Sequence, residues 1–295
     1  MKILLTGING QVGFELQRSL SILGDVIAVG HTDCNLANES AIRQLIRQVE
    51  PDVIVNPAAY TAVDKAESDI AMAQAVNVRA VEVIGEEAER IGSIVVHFST
   101  DYVFDGRKSG AYSEKDETSP LSVYGRTKRD GELALQKSGA KHLIFRTSWV
   151  AGVHGGNFAK TILRLAAERE SLSVVSDQVG VPTSAALLAD VTTMLLRQAH
   201  RETITSFPFG LYHLTPSGST NWYDYAYFIL EEAHRGGRLL TLKPEGLKAI
   251  KAAEYPTLAL RPANSMLDTT RFQQEFGLKL PPWQLGVKQL IAQLR

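Results

Sequence analysis

Short apolar runs alternate with longer stretches of helical periodicity through the first half of the chain. The runs read as strands at Lys2–Thr6, Asp25–Val29, Asp52–Asn56, Ile94–Ser99 and His142–Arg146, with Leu172–Val175 expected as a sixth. Most are apolar on both faces, the pattern of strands covered by helices on two sides. Between them a 3.6-residue period predicts helices at Val12–Leu20, Glu39–Val49, Val78–Ile91 and Tyr124–Lys137. Asn38 and Ser40 offer N-caps for the second helix, and Pro51 prevents its continuation. Strand and helix in turn imply parallel βαβ units, so the expected fold class is α/β, a doubly wound parallel sheet.

After Val150 the texture changes. Gly152, Gly155 and Gly156 mark a loop, and helical periods follow at Asn157–Glu168, Ala185–Gln198 and Tyr223–Arg235. Leu211–Leu214 reads as a short strand and Pro244–Pro262 as mixed, proline-punctuated structure. The expected organisation is one domain over residues 1–150 and a smaller α+β region over 151–295, with some chain returning to the sheet.

Composition narrows the function. Lys+Arg (31) and Asp+Glu (32) nearly cancel, which argues against nucleic acid or an anionic membrane as partner, so an anionic ligand must be caught locally. The single cysteine, Cys34, excludes an internal disulfide framework and a cysteine-rich zinc site. The seven histidines show no paired metal spacing, so no metal ligands are assigned from the sequence. No run approaches the ~18 apolar residues of a membrane span, and a cytoplasmic protein is expected.

Three pieces of chemistry stand out. Gly7-Ile-Asn-Gly10-Gln-Val-Gly13 follows the first strand and opens the first helix. Glycine lets the backbone approach a pyrophosphate, and the helix N-terminus offers free N–H groups and a positive dipole end. The spacing is Gly-x-x-Gly-x-x-Gly and not the dehydrogenase Gly-x-Gly-x-x-Gly. The strand before and helix after still predict a nucleotide-binding loop, with a Rossmann-type sheet and residues 1–150 as the expected NAD(P)-binding domain. The second strand ends Val29-Gly30-His31-Thr32-Asp33, with no acid at its tip to grip a ribose 2′-hydroxyl and no arginine for a 2′-phosphate. Tyr124-Gly-Arg-Thr-Lys128 places a phenol and an ammonium on one helix face. Lys128 is expected to lower the pKa of Tyr124 and make it a proton carrier. Thr100, at the end of the fourth strand, is expected to donate a hydrogen bond to a substrate carbonyl beside Tyr124.

Together these pieces resemble the extended short-chain dehydrogenase/reductase family. Asn56-Pro-Ala-Ala-Tyr-Thr-Ala-Val-Asp64-Lys-Ala-Glu67, Ser99-Thr-Asp-Tyr-Val-Phe104, Phe145-Arg-Thr-Ser-Trp149 and Arg261-Pro262 are similar to its dTDP-4-dehydrorhamnose reductase branch. The similarity runs from Met1 to Pro282-Trp-Gln-Leu-Gly286. It implies NADPH as cofactor, with NADH also accepted, and a nucleotide-sugar substrate whose 4-keto group is reduced. Gly7, Gly10, Gln11, Val12 and Gly13 would meet the cofactor pyrophosphate. Ala58, Ala59, Tyr60 and Thr61 would line its track, with Asn35 and Leu36 beside it. Tyr124 would donate the proton and Lys128 would hold the nicotinamide ribose. Thr100, Asp101 and Trp149 would meet the substrate. Arg261 is a candidate for a phosphate contact, a surface salt bridge being the alternative. Relatives of this kind include dimers whose interface holds Mg²⁺ through glutamates. Here only Glu15 keeps an acid, Ala186 and Gln284 standing at the other two positions, so no metal and a monomer or weak homodimer are expected. A dehydratase would need a glutamate where Tyr102 stands. A non-catalytic binding subunit on the same fold is the alternative of a different class.

Overall fold

The computed structural model describes residues 1–201 and 207–294. The first half runs β1 (Lys2–Leu5), α1 (Gln11–Leu20), β2 (Asp25–Ala28), α2 (Glu39–Val49), β3 (Val53–Asn56), α3 (Val63–Ala66), α4 (Ile70–Gln74), α5 (Ala80–Ile91), β4 (Ile94–Thr100), α6 (Val123–Lys137) and β5 (His142–Thr147). The second half runs β6 (Val150–Ala151), α7 (Phe158–Glu168), β7 (Leu172–Val175), β8 (Val179–Gly180), β9 (Thr183–Ser184), α8 (Ala185–Arg201), β10 (Gly210–His213), β11 (Thr220–Asn221), α9 (Trp222–Arg235), β12 (Leu247–Ile250), α10 (Thr270–Phe276) and α11 (Trp283–Gln293).

Six strands form one parallel sheet in the order β10-β5-β4-β3-β1-β2. Alternate residues of each strand face opposite sides. Ile3, Leu5, Val53, Val55, Val96 and Phe145 pack against α1, α8 and α10 on one face. Leu4, Ile54, Val95 and Ile144 pack against α2, α5 and α6 on the other. A third core unites α7, α9 and α11 with β7 and β12 in a smaller lobe. None of the described helices is long and apolar enough to cross a membrane.

Two expectations change. Leu172–Val175 is a strand, but it pairs in parallel with Leu247–Ile250 of the smaller lobe and not with the sheet. The sixth sheet strand is β10, paired with β5 from Gly210↔Leu143 to His213↔Arg146. A periodicity pattern gives a strand's existence, not its neighbour. The helix expected over Val78–Ile91 starts earlier and is interrupted: α4 continues through a π-helical turn, Ala75–Arg79, into α5. That turn carries the buried Asn77, whose amide nitrogen donates to the Tyr60 carbonyl at 3.1 Å and to Thr127 Oγ1 at 3.1 Å. Its side-chain oxygen accepts from the Tyr60 N–H at 2.8 Å. The extra residue in the turn aims a polar side chain at the loop after β3, a common use of such bulges.

Candidate active site

The strand order reverses between β1 and β3, so a crevice opens beyond their carboxyl ends. The glycine loop lies there. Gly7 has φ +61°, and a Cβ on it would stand 2.9 Å from the backbone of Ala58. A Cβ on Gly13 would stand 2.1 Å from the Gly7 carbonyl oxygen. Gly7 therefore lets the loops after β1 and β3 touch, and Gly13 lets the loop lie on the helix. Gly10 is the N-cap of α1 and brings no side chain to cover the first-turn N–H groups.

From this loop a cleft of about 780 Å³ runs past β2 to the start of α6. Gly7, Gly10, Gln11, Val12, Asn35, Leu36, Ala58, Ala59, Tyr60, Thr61, Tyr124 and Lys128 all line it, whereas Gly13 supports it from below. The Gln11 side chain does not point to a ligand. Its amide nitrogen donates to the Val150 carbonyl at 3.2 Å, and its oxygen accepts from Gly152 N and Asn157 Nδ2 at 2.8 and 2.9 Å. Gln11 thus ties the glycine loop to the loop after β6, where Gly155 and Gly156 also line the cleft.

The far end of β2 holds an acid that linear spacing hid. Asp33 folds back so that its Oδ2 accepts from the Gly30 N–H at 2.7 Å. Gly30 and His31 line the cleft beside it.

At the other end, Ser122 caps α6 by accepting from the Gly125 N–H at 3.1 Å, and Glu67 accepts from the Val123 N–H at 2.8 Å. A Cβ on Gly125 would sit 2.1 Å from the Tyr102 carbonyl oxygen, so glycine there lets the 101–103 turn rest on the helix. This contact brings Thr100 within hydrogen-bond reach of Tyr124. Burial, the largest influence, pushes the Tyr124 phenol up to about 12; the nearby Asp101 adds to the rise and the Thr100 hydroxyl opposes it. The expected lowering by Lys128 is not found. That ammonium is buried and turned to His97 Nε2 at 3.2 Å and to the Phe98 carbonyl at 2.6 Å. An i, i+4 spacing gives a shared face but not a shared contact.

Thr100 also differs from expectation. Its hydroxyl donates to Asp101 Oδ1 at 3.0 Å and accepts from the Tyr102 N–H at 3.2 Å, so its proton is committed until Thr100 rotates. Burial raises the Asp101 carboxyl to about 6 against the pull of neighbouring hydroxyls. Asp101 Oδ2 and Arg261 Nε are buried without a hydrogen-bond partner among the described residues. Arg261 Nη2 donates to Asp64 Oδ2 at 2.8 Å, the salt-bridge alternative, while its Nε stays unpaired. Trp149 lies outside the cofactor cleft, at φ +45°, stacked on Trp222 with ring centroids 3.5 Å apart. A residue other than glycine in that region costs about 1–3 kcal/mol, which packing must offset.

The site can be compared with known proteins. A family model described as the RmlD substrate binding domain matches residues 1–295. The chain belongs to that family. A relative from Escherichia coli (strain K12), a dTDP-4-dehydrorhamnose reductase, is 52% identical over 298 residues, 100% of this chain and 98% of the relative. The crystal structure of a dTDP-4-dehydrorhamnose reductase from Clostridium acetobutylicum superposes with a TM-score of 0.91 at 34% identity, covering 100% of this chain and 99% of that one. The enzyme of the same description from Bacillus anthracis, solved in complex with NADP, gives 0.89 at 31% identity over 98% and 99% of the two chains. Family membership fits the cleft, whose glycine cradle and length suit a dinucleotide.

Sequence reasoning missed Asn77, His97, Asp33, Gly155 and Gly156 as parts of the site. Only the glycine pair carried a usable signal, its clustering after Val150. An asparagine or histidine inside an apolar run reads the same whether it serves the site or the core.

Proposed function

We propose that this chain reduces the 4-keto group of dTDP-4-dehydro-L-rhamnose to give dTDP-L-rhamnose, the last step in making that sugar donor. NADPH, when bound, supplies the hydride. The protein's residues do the rest. The first turn of α1 holds the diphosphate through backbone N–H groups, and Gly7 and Gly10, the latter's own N–H donating to the Gly7 carbonyl, let it approach. Ala58 and Ala59 let the loop after β3 lie close along the cofactor. Lys128 holds ribose hydroxyls at the closed end of the cleft, and Tyr124 protonates the alkoxide oxygen as it forms. Thr100, once rotated from Asp101, donates to the same oxygen. Asp101, Trp149 and Arg261 face the sugar and its phosphates. The enzyme works in the cytoplasm.

A single observation carries the reading. A buried phenol held protonated at pH 7 stands at the end of a dinucleotide-sized cleft, next to a hydroxyl. Such a phenol suits reduction, where the enzyme must give up a proton.

A metal does not fit here. Glu15 faces Arg18 at 3.7 Å, and Ala186 and Gln284 bring no carboxylate. The proton and hydride steps therefore draw on the chain's own residues and the dinucleotide, in a monomer or weak homodimer.

The test is NADPH consumption at 340 nm with dTDP-4-dehydrorhamnose, with the product identified as dTDP-rhamnose. A protein that binds NADPH but never oxidises it would support the binding-subunit reading instead.

A further inference from the structure

One fully buried titratable side chain touches this machinery without a role in it. His97 lies within β4 and has no exposed surface. Its Nε2 is 3.2 Å from Lys128 Nζ. Its Nδ1 edge faces Asn56, meeting the backbone there and standing 3.3 Å from the side-chain nitrogen. Asn56 Oδ1 in turn accepts from the Thr6 hydroxyl at 2.6 Å. Thr6 follows β1, Asn56 ends β3 and His97 is its register partner on β4. A polar row thus crosses three adjacent strands and ends on Lys128.

Buried polar rows are costly unless each member is satisfied, and a leucine at position 97 would avoid that cost. Donor arithmetic shows what the histidine adds. An ammonium has three N–H groups. The Phe98 carbonyl takes one at 2.6 Å and His97 Nε2 takes a second, leaving the third for the cleft that Lys128 lines. A neutral imidazole accepts at one nitrogen only. Acceptance at Nε2 puts the ring proton on Nδ1, where the acceptor available is the Asn56 backbone, since the side-chain nitrogen 3.3 Å away is itself a donor. Burial, and then the Lys128 cation, keep the ring uncharged.

We propose that His97 is a positioning residue for the reduction: as a neutral Nε2 acceptor it fixes the Lys128 ammonium so that one N–H is always presented to the cofactor cleft. The proposal rests on the reductase reading above. Burial lowers Lys128 to about 8, while Glu132 one turn further along α6 opposes the fall. Glu132 is itself engaged by Arg146 and by the Ser99 hydroxyl, and Tyr124 lies one turn earlier on α6. Removing the imidazole acceptor destabilises the ammonium, which then loses its proton at lower pH.

Two substitutions of similar size separate this role from packing. In His97→Asn the amide reaches the Nδ1 position, so the Asn56 contact stays and the Lys128 contact goes. In His97→Gln the amide oxygen reaches the Nε2 position and keeps the acceptor. Steady-state kinetics between about pH 6 and 9.5 and thermal unfolding are measured for both. His97→Asn is expected to lose about tenfold or more in kcat and to raise KM for NADPH. The alkaline limb of its kcat profile moves down by about one pH unit. His97→Gln stays within about threefold of the parent with its pH limb in place. Equal losses in both variants with an unmoved limb, or a His97→Asn protein that matches the parent, would overturn the proposal. If a variant does not fold, ¹⁵N-histidine NMR of the unaltered protein decides: an Nδ1-protonated His97 supports it and an Nε2-protonated one refutes it. If the unaltered protein turns over no sugar nucleotide, the reductase reading fails by itself. NADPH titrations of the two variants then judge His97, weaker binding in His97→Asn alone supporting it and equal binding refuting it.

Discussion

At Tyr124 burial outweighs every other influence on the phenol, so the group enters the reaction as an acid. General acid catalysis of this kind contributes about 10²–10⁴-fold, so Tyr124→Phe should lose roughly that in kcat while binding NADPH as before. Near-parental turnover by that variant would rule out the phenol as donor. A second residue-scale expectation concerns the end of β2. Asp33 has one carboxylate oxygen engaged by the Gly30 N–H, and His31 stands beside it in the cleft. Asp33 keeps its charge but is tied back onto the loop and does not line the cleft, and no arginine among the described residues lines it there. NADPH and NADH should therefore both serve, with kcat/KM values within about 10³ of each other, or ~4 kcal/mol. A larger ratio in parallel assays would point to another discriminating side chain.

Among the elements, the pairing of α2 with α5 has its own electrostatic lock. Glu87 on α5 is 2% exposed, and Arg43, Arg47 and Arg90 all reach it, at 2.9, 2.6 and 3.0 Å. The guanidinium of Arg47, foremost among them, holds the Glu87 carboxyl down at about 2, burial opposing it. The folded-state value lies below the ~4.3 of an unfolded glutamate. Its contribution is therefore complete above about pH 4.3 and disappears as pH falls towards 2. Glu87→Gln should cost about 2 kcal/mol at pH 7, because the arginines can turn to water but the helix contact cannot re-form. The difference between variant and parent should close below about pH 3. Unfolding curves with the same gap at pH 7 and pH 3 would show that the lock contributes by shape alone. The same helix begins in the π-helical turn with Asn77, so this element both seals the outer face and steadies the loop after β3.

The whole molecule is held together by chain that returns. α8 packs on α1, and β10 pairs with β5 after the chain has passed through the smaller lobe, so the two halves share a core. On the outer side of α1, Arg18 lies 3.7 Å from Glu15 and 3.4 Å from Asp190. Glu15 thus has a cationic partner within its own chain, shared with Asp190. Reduction should survive EDTA unchanged, and sedimentation at micromolar concentration should show a monomer or a weak dimer indifferent to Mg²⁺. A tight dimer that falls apart on chelation would contradict this. Neither Glu15, Arg18 nor Asp190 lines the cleft, so losing a contact at that surface should leave turnover unchanged.

What the sequence determined by itself is local. The period of apolar residues set β1 to β5 and the helices α1, α2 and α6 between them, and α2 runs over Glu39–Val49 as the pattern reads. The glycine spacing and the Tyr124–Lys128 register likewise follow from short-range geometry, since a turn and an i, i+4 face need only neighbouring residues. Tertiary structure decided whatever depends on remote partners. It chose β10 over Leu172–Val175 as the sixth strand, because strand pairing is a long-range choice that periodicity does not encode. It folded Asp33 back onto Gly30 and placed Asn77 against the loop after β3. Above all it set the protonation chemistry. Tyr124 and Lys128 share a helix face, yet burial raises the phenol, and His97 with the Phe98 carbonyl claims the ammonium. Desolvation belongs to the packed molecule, and no spacing along a chain can state it.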